Sequence, residues 1–407
     1  LKRATGNWVI GDQFWDREVE VELLMERIRE GANVLLAAPR RIGKTSLMKE
    51  AARRLEDEFL CLYVDLEKAV SPADAIVELS IAAHPIKPVW NKVAAIFENI
   101  LGGTVESVKI DEVSIVLRGG LNAGNWQAKG DRLVGILASH EKPVVLLFDE
   151  VATLVNRLLR GEDYEITAER RNSVDQFLSW LRANGIRHQA KIRMVLTGSI
   201  GLEPLTRRAG LSATLNHLTP FHLGPWSRDV AKGCLLALAE EYKITLLPDA
   251  VEHILDLLGS YIPHHVQMFF DHVYQAARMR KTSEVTRTMV GEVFEHSMLG
   301  IRGHAELSHL EERLKTVLGP NLDLLALDLL TEVAVTGSLT AGTAATLAQE
   351  YFDDEWATPL RDVLGILEHD GYLRSRDNVY RFESDLLRSW WKARFEFGYV
   401  PVAERQV

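Results

Sequence analysis

Apolar residues first recur at helical spacing between positions 18 and 30, where Val21, Leu24, Met25 and Ile28 fall on one side and Gly31 follows as a helix stop. The pattern then changes. Residues 33–37, 59–66, 143–148 and 192–196 are nearly continuous apolar runs, which predict parallel strands covered on both faces. Between them lie amphipathic stretches, among them 46–52 and 167–184, the latter with Phe177, Leu178 and Leu181 on its apolar side. Strands alternating with helices predict a doubly wound α/β sheet. Two β-like runs, 104–110 and 113–117, flank Asp111 and Glu112 and precede a Gly/Asn-rich stretch to Gly130, predicting an inserted β-hairpin over about 104–130.

After Pro220 the spacing is helical throughout: 227–242, 248–258, 263–280 and 286–295 read as a helical lid. A helix near 305–318 stops at Gly319-Pro320. Helices at 322–333, 340–350 and 357–369 precede a strand, turn and strand over 371–382, and a last helix carries Leu386, Leu387, Trp390 and Trp391. That order is the order of a winged helix-turn-helix. The predicted organisation is a core over 1–220, a lid over 221–300, a linker helix over 301–320 and a winged-helix domain over 321–407.

Between the first strand and the next helix stand Ala38, Pro39, Arg40, Arg41, Ile42, Gly43, Lys44, Thr45 and Ser46. Gly followed by Lys and a hydroxyl residue, at a strand-to-helix turn, matches a phosphate-binding loop. Backbone N–H groups cradle phosphates, Lys44 reaches the β/γ oxygens and Thr45 takes Mg²⁺. The following helix adds the positive end of its dipole. Ala38 departs from the pattern, which has Gly there, because a Cβ restricts the backbone to φ below zero.

Triphosphate hydrolysis also needs a carboxylate for the metal and another for the attacking water. Asp149 and Glu150 end the third apolar run, where ligands of parallel sheets bind. Asp149 is assigned to Mg²⁺ through water and Glu150 to general-base work. Thr197 and Ser199 end the next strand, either as sensors of the γ-phosphate or as a helix cap. Arg207 and Arg208 follow, either completing a neighbouring copy's site or solvated on the surface. Trp8 or Trp15 could flank a base.

Composition narrows the partners. The chain has 407 residues, 47% hydrophobic and 26% charged, with a net charge of -10 that disfavours coating nucleic acid. Over 353–370 the acids Asp353, Asp354, Glu355, Asp362, Glu368 and Asp370 face a single Arg361, although Arg374, Arg376 and Arg381 are available on the wing. Cys61 and Cys234 read as buried free thiols in a reducing compartment. The histidines, including His264, His265, His296, His304 and His309, make no known zinc-ligand spacing. No run is long enough to span a bilayer and no leader pattern precedes Trp8, so the expectation is a cytoplasmic protein without a membrane partner.

The ordered strings Gly11-Asp-Gln-Phe-Trp-Asp-Arg-Glu18, Ala38-Pro-Arg-Arg-Ile-Gly-Lys-Thr-Ser-Leu47, Leu146-Leu-Phe-Asp-Glu150, Leu196-Thr-Gly-Ser199 and Tyr261-Ile-Pro-His-His-Val-Gln267 resemble the archaeal-type ATPase family. That family is grouped with the signal-transduction (STAND) ATPases and related to AAA+ proteins of the origin-recognition type. The resemblance implies an α/β P-loop NTPase with an AAA+-like parallel sheet, a helical lid and a C-terminal winged helix. It implies ATP or ADP and Mg²⁺ as ligands, with Val9, Ile10 and Gly11 against the adenine and Pro263 approaching the nucleotide from the lid. It implies a switch that acts on a protein partner or on its own homo-oligomer, with a DNA-associated ATPase as the alternative.

Overall fold

β1 (Asn33–Ala37), β2 (Leu60–Asp65), β3 (Val144–Asp149), β4 (Ile192–Thr197) and β5 (Leu218–His222) form one five-stranded sheet in the order β2-β3-β4-β1-β5. All its pairs are parallel. β3 is buried along its whole length, as a strand covered on both faces must be. β5 is an edge strand, which accommodates Pro220 opposite Leu35 because no further strand needs its missing N–H. Asn33 fixes the start of β1 by accepting the Met194 N–H through Oδ1 at 2.9 Å.

The computed structural model describes residues 1–4, 6–97, 110–161 and 163–405. They divide into two units, a sheet unit (Arg17–Ala37 with Lys44–Leu223) and a helical unit (Leu1–Asp16, Ala38–Gly43 and Gly224–Val407). The sheet unit holds α1 (Glu18–Arg29), α2 (Lys44–Arg54), α3 (Pro72–Ala83), α4 (Lys87–Ile96), α5 (Ile110–Gly120), α6 (Trp126–Ala138), α7 (Val151–Arg160), α8 (Ala168–Arg187) and α9 (Leu202–Arg208). Thr167 caps α8 by accepting the Arg170 N–H, and Val174, Phe177, Leu178 and Leu181 of that helix are buried.

The expected hairpin is corrected where the structure describes it: residues 110–120 are helical, and 104–109 lie outside the described residues. β-branched residues suggested strands, yet Val113, Val116 and Leu117 follow the three- and four-residue spacing of a helix. Leu117 is buried while Ile115 is 71% exposed. Arg118 pins the helix to α3 through ion pairs with Asp74 and Glu78.

The helical unit contains α10 (Arg228–Glu241), α11 (Pro248–Leu258), α12 (Pro263–Met279), α13 (Arg287–Val293), α14 (Ile301–Leu318), α15 (Leu322–Thr336), α16 (Ala341–Phe352), α17 (Ala357–His369) and α18 (Asp385–Phe395). The lid region is not purely helical: β6 (Thr245–Leu246) pairs in parallel with β7 (Glu284–Val285). Farther on, β8 (Leu339–Thr340), β9 (Leu373–Arg376) and β10 (Val379–Phe382) make a second sheet, order β8-β10-β9.

Trp390 and Trp391 anchor the last helix, their rings 5.7 Å apart and edge-on, with Trp391 Nε1 donating to Thr331 Oγ1. Ser384 caps α18 and also donates to the Leu258 carbonyl at 3.1 Å, so α18 is seated on the end of α11. Gly259, at φ +67°, ends α11 in a left-handed step where a Cβ would come within 2.2 Å of Asp385 Oδ2. Among the described residues no helix is long and apolar enough to cross a membrane.

Candidate functional site

The strand-to-helix turn after β1 is built as the sequence requires, apart from one detail. Its left-handed steps fall on Arg41 (φ +65°) and Gly43 (φ +98°), not on Ala38, so the Ala38 Cβ meets no conformational penalty. Arg41 carries that penalty instead, on the order of 1–2 kcal/mol for a residue with a Cβ. α2 begins at Lys44, placing Lys44, Thr45 and Ser46 on its first turn, with Lys44 and Ser46 buried.

Register brings the acidic pair beside the first turn of α2 within the sheet unit. Leu36 pairs Thr197 and Phe148 pairs Leu196, so β1, β3 and β4 end together. Thr45 Oγ1 donates to Asp149 Oδ2 at 2.7 Å, and the backbone N–H of Glu150 donates to Asp149 Oδ1 at 3.1 Å. Tyr63, on β2, donates its phenol O–H to the same Oδ2 at 2.8 Å. Burial pushes the Asp149 carboxyl above its ordinary value, with Thr45, Tyr63 and Lys44 opposing.

Glu150 is arranged differently. Its backbone is left-handed at φ +60°, a strained position for a residue with a Cβ, and it opens α7. Its Oε2 accepts from Thr153 Oγ1, from Ser199 Oγ at 2.8 Å and from the Ser199 N–H at 3.2 Å. Burial raises its carboxyl pKa, but these donors and Lys44 more than offset that, and the net shift is downward. The acid is held ionised, anchored by one oxygen, with Oε1 taking none of those bonds.

Gly198 makes the anchor possible: a Cβ there would lie 2.6 Å from Ala152 Cβ and 3.1 Å from its backbone N. The chain after β4 therefore lies against the start of α7, which delivers Ser199 to Glu150. Thr197 Oγ1 is buried and has no hydrogen-bond partner among the described residues.

Six sequence-assigned residues thus stand together: Lys44, Thr45, Asp149, Glu150, Thr197 and Ser199. The donor set fits a hard divalent cation, which takes oxygen ligands: a hydroxyl and a carboxylate already share one hydrogen bond. Arg207 is exposed and Arg208 half-buried on α9 of the same unit. Pro39, Arg40, Arg41, Ile42 and Gly43 group with the helical unit, as do Val9, Ile10, Gly11 and Pro263.

Gly11 opens a short 3-10 turn, and Pro263 is the first residue of α12. Trp15 is committed to α10, its Nε1 donating to the Val230 carbonyl, whereas Trp8 is 51% exposed. Both cysteines are free, and burial pushes each thiol up to about 12. No group of His, Cys, Asp and Glu among the described residues is arranged to hold a metal ion by itself.

Sequence reasoning missed Tyr63 and Thr153. The signal for Tyr63 was a hydroxyl inside an otherwise apolar strand run, and for Thr153 a hydroxyl one helical turn after Glu150.

No family model matches the chain, and no curated protein matches it. Solved structures do. The Walker-type ATPase of Pyrococcus abyssi is similar at 16% identity and a TM-score of 0.61, over 95% of this chain and 98% of that one. The ORC2 protein of Aeropyrum pernix, in its ADPNP and ADP complexes, is similar at 15% identity and a TM-score of 0.53, over 95% of this chain and 97% of that one. At these identities the likeness concerns the fold: the chain has the parallel-sheet fold of a P-loop ATPase.

Proposed function

We propose that the chain binds ATP and ADP with Mg²⁺ and hydrolyses ATP, as a switch of the STAND and AAA+-related type acting on a protein partner or on its own assembly. The observation that carries this reading is the Thr45–Asp149 hydrogen bond, 2.7 Å, beside Lys44 and next to an anchored, ionised Glu150.

Lys44 holds the β- and γ-phosphates, and the N–H groups of the loop from Pro39 to Ser46 cradle them. Thr45 and Asp149 hold Mg²⁺, which when bound supplies positive charge against the phosphate oxygens. Glu150, fixed through Oε2, takes a proton from the attacking water on Oε1. Thr197 offers its unpartnered hydroxyl to the ligand side, while Ser199 orients Glu150. The base side goes to Val9, Ile10, Gly11 and Pro263 on the family resemblance, and Arg207 and Arg208 are the candidates for acting on a second copy.

Purified protein is expected to turn over ATP only with Mg²⁺, and Glu150→Gln to bind nucleotide without turning it over. A wild-type protein that binds no ATP or ADP overturns the reading.

A second reading, a DNA-associated ATPase using the C-terminal region as a winged helix, is favoured by one observation: Arg374, Arg376 and Arg381 are all exposed on the β9–β10 pair. Asp353, Asp354 and Glu355 line an open groove elsewhere in that region and oppose phosphate. Salt-dependent duplex binding that disappears when the three arginines are replaced supports it.

A further inference from the structure

We propose that Tyr63 is a positioning residue for the magnesium carboxylate, an inference that rests on the nucleotide reading above. Tyr63 and Thr45 both donate to Oδ2 of Asp149, at 2.8 and 2.7 Å, while Oδ1 takes the N–H of Glu150. The two hydroxyls differ in what a cation asks of them. Thr45 is itself a ligand, so its oxygen must turn its lone pair toward the metal. Tyr63 lies on β2, on the side of β3 away from β1, and the β2–β3 register runs from Leu60 opposite Val144 to Asp65 opposite Asp149. Its bond therefore orients Asp149 without competing for the cation.

The chemistry of the donor suits this task. A guanidinium in the same place would hold the carboxylate equally well but would cancel the charge a divalent cation needs. A phenol fixes the plane of the carboxylate and leaves its charge in place. The ring is itself held: Lys49, four residues after Thr45 on α2, places Nζ 3.7 Å from its centroid.

The test compares the affinity of a fluorescent ADP analogue in EDTA with its affinity across a Mg²⁺ titration, for wild type and Tyr63→Phe. The expected result is a rise of about 10-fold in the Mg²⁺ concentration for half-effect in Tyr63→Phe, with affinity in EDTA unchanged. In turnover assays the same shift appears in the Mg²⁺ dependence, while kcat at saturating Mg²⁺ is retained. Lys49→Met, which keeps the packing over the ring but loses the cation, moves the Mg²⁺ requirement in the same direction by less, and serves if Tyr63→Phe does not fold. An unchanged Mg²⁺ requirement in Tyr63→Phe, or an equal loss of affinity with and without Mg²⁺, overturns the inference alone. A wild type that binds no nucleotide overturns the underlying reading, and this one with it.

Discussion

Two of the buried aspartates, one in each unit, are held in opposite ways. Asp149 of the sheet unit takes hydrogen bonds from two hydroxyls and a backbone N–H, and burial drives its carboxyl upward. Asp370 of the helical unit meets the Arg313 guanidinium, Nε and Nη2 both 3.3 Å from Oδ2, with His369 Nδ1 3.3 Å from Oδ1. Burial raises the Asp370 carboxyl as well, but the charge of Arg313 and the contact with His369 bring the net shift downward. An aspartate neutralised by arginine has its electrostatic demand met within the fold and serves architecture. One oriented by neutral donors keeps that demand, which a bound cation would satisfy under the proposed function.

The sharpest way to break this contrast is at Glu150, the proposed base. Glu150→Gln is expected to lower ATP turnover by about 10²–10⁴-fold, with nucleotide affinity held within a few-fold, measured by steady-state kinetics alongside equilibrium binding. A variant that keeps turnover removes Glu150 from the chemistry.

Next in size is Arg313→Met, which strands Asp370 as a buried charge. It is expected to cost about 3–5 kcal/mol of folding free energy, read from denaturant unfolding, without changing the Mg²⁺ requirement of the sheet unit.

Asp149→Asn is expected to do the reverse: to abolish Mg²⁺-dependent nucleotide binding while raising Tm in the absence of ligand, a stabilisation on the order of 1 kcal/mol. A loss of stability comparable to that of Arg313→Met would make the two aspartates equivalent and erase the distinction.

The smallest effect concerns pH. Burial, with Arg40 and Arg41 nearby, pushes His309 down to about 4 from an ordinary 6.5, and burial with His309 and Arg41 pushes His265 to about 3. The unfolded chain therefore binds protons first. The stability linked to these groups is complete above pH 6.5 and is lost as pH falls from there toward about 4 for His309 and about 3 for His265. Tm measured against pH is expected to decline across that window, and His309→Gln to flatten the decline.

The sheet, the loop and the Asp149–Glu150 pair were legible because their signals are local: a buried strand is a continuous apolar run, and the phosphate loop is contiguous. Tyr63 and Thr153 were not, because their role exists only through pairing of β2 with β3 and through the turn that opens α7. Residues 110–120 misled because β-branched content and helical spacing pointed in different directions over a short run. Pro220 was taken for the end of the core, yet it sits inside β5, where an edge position tolerates it. The left-handed burden expected at Ala38 falls on Arg41, which no residue-by-residue reading assigns.

Gly198 has a genetic consequence. It carries no polar side chain, yet any methyl group there must displace Ala152, and with it the serine that holds Glu150 Oε2. On the proposed function, a Gly198→Ala allele would therefore disturb the Glu150 anchor, and with it turnover, although every chemically reactive group in its sequence is intact.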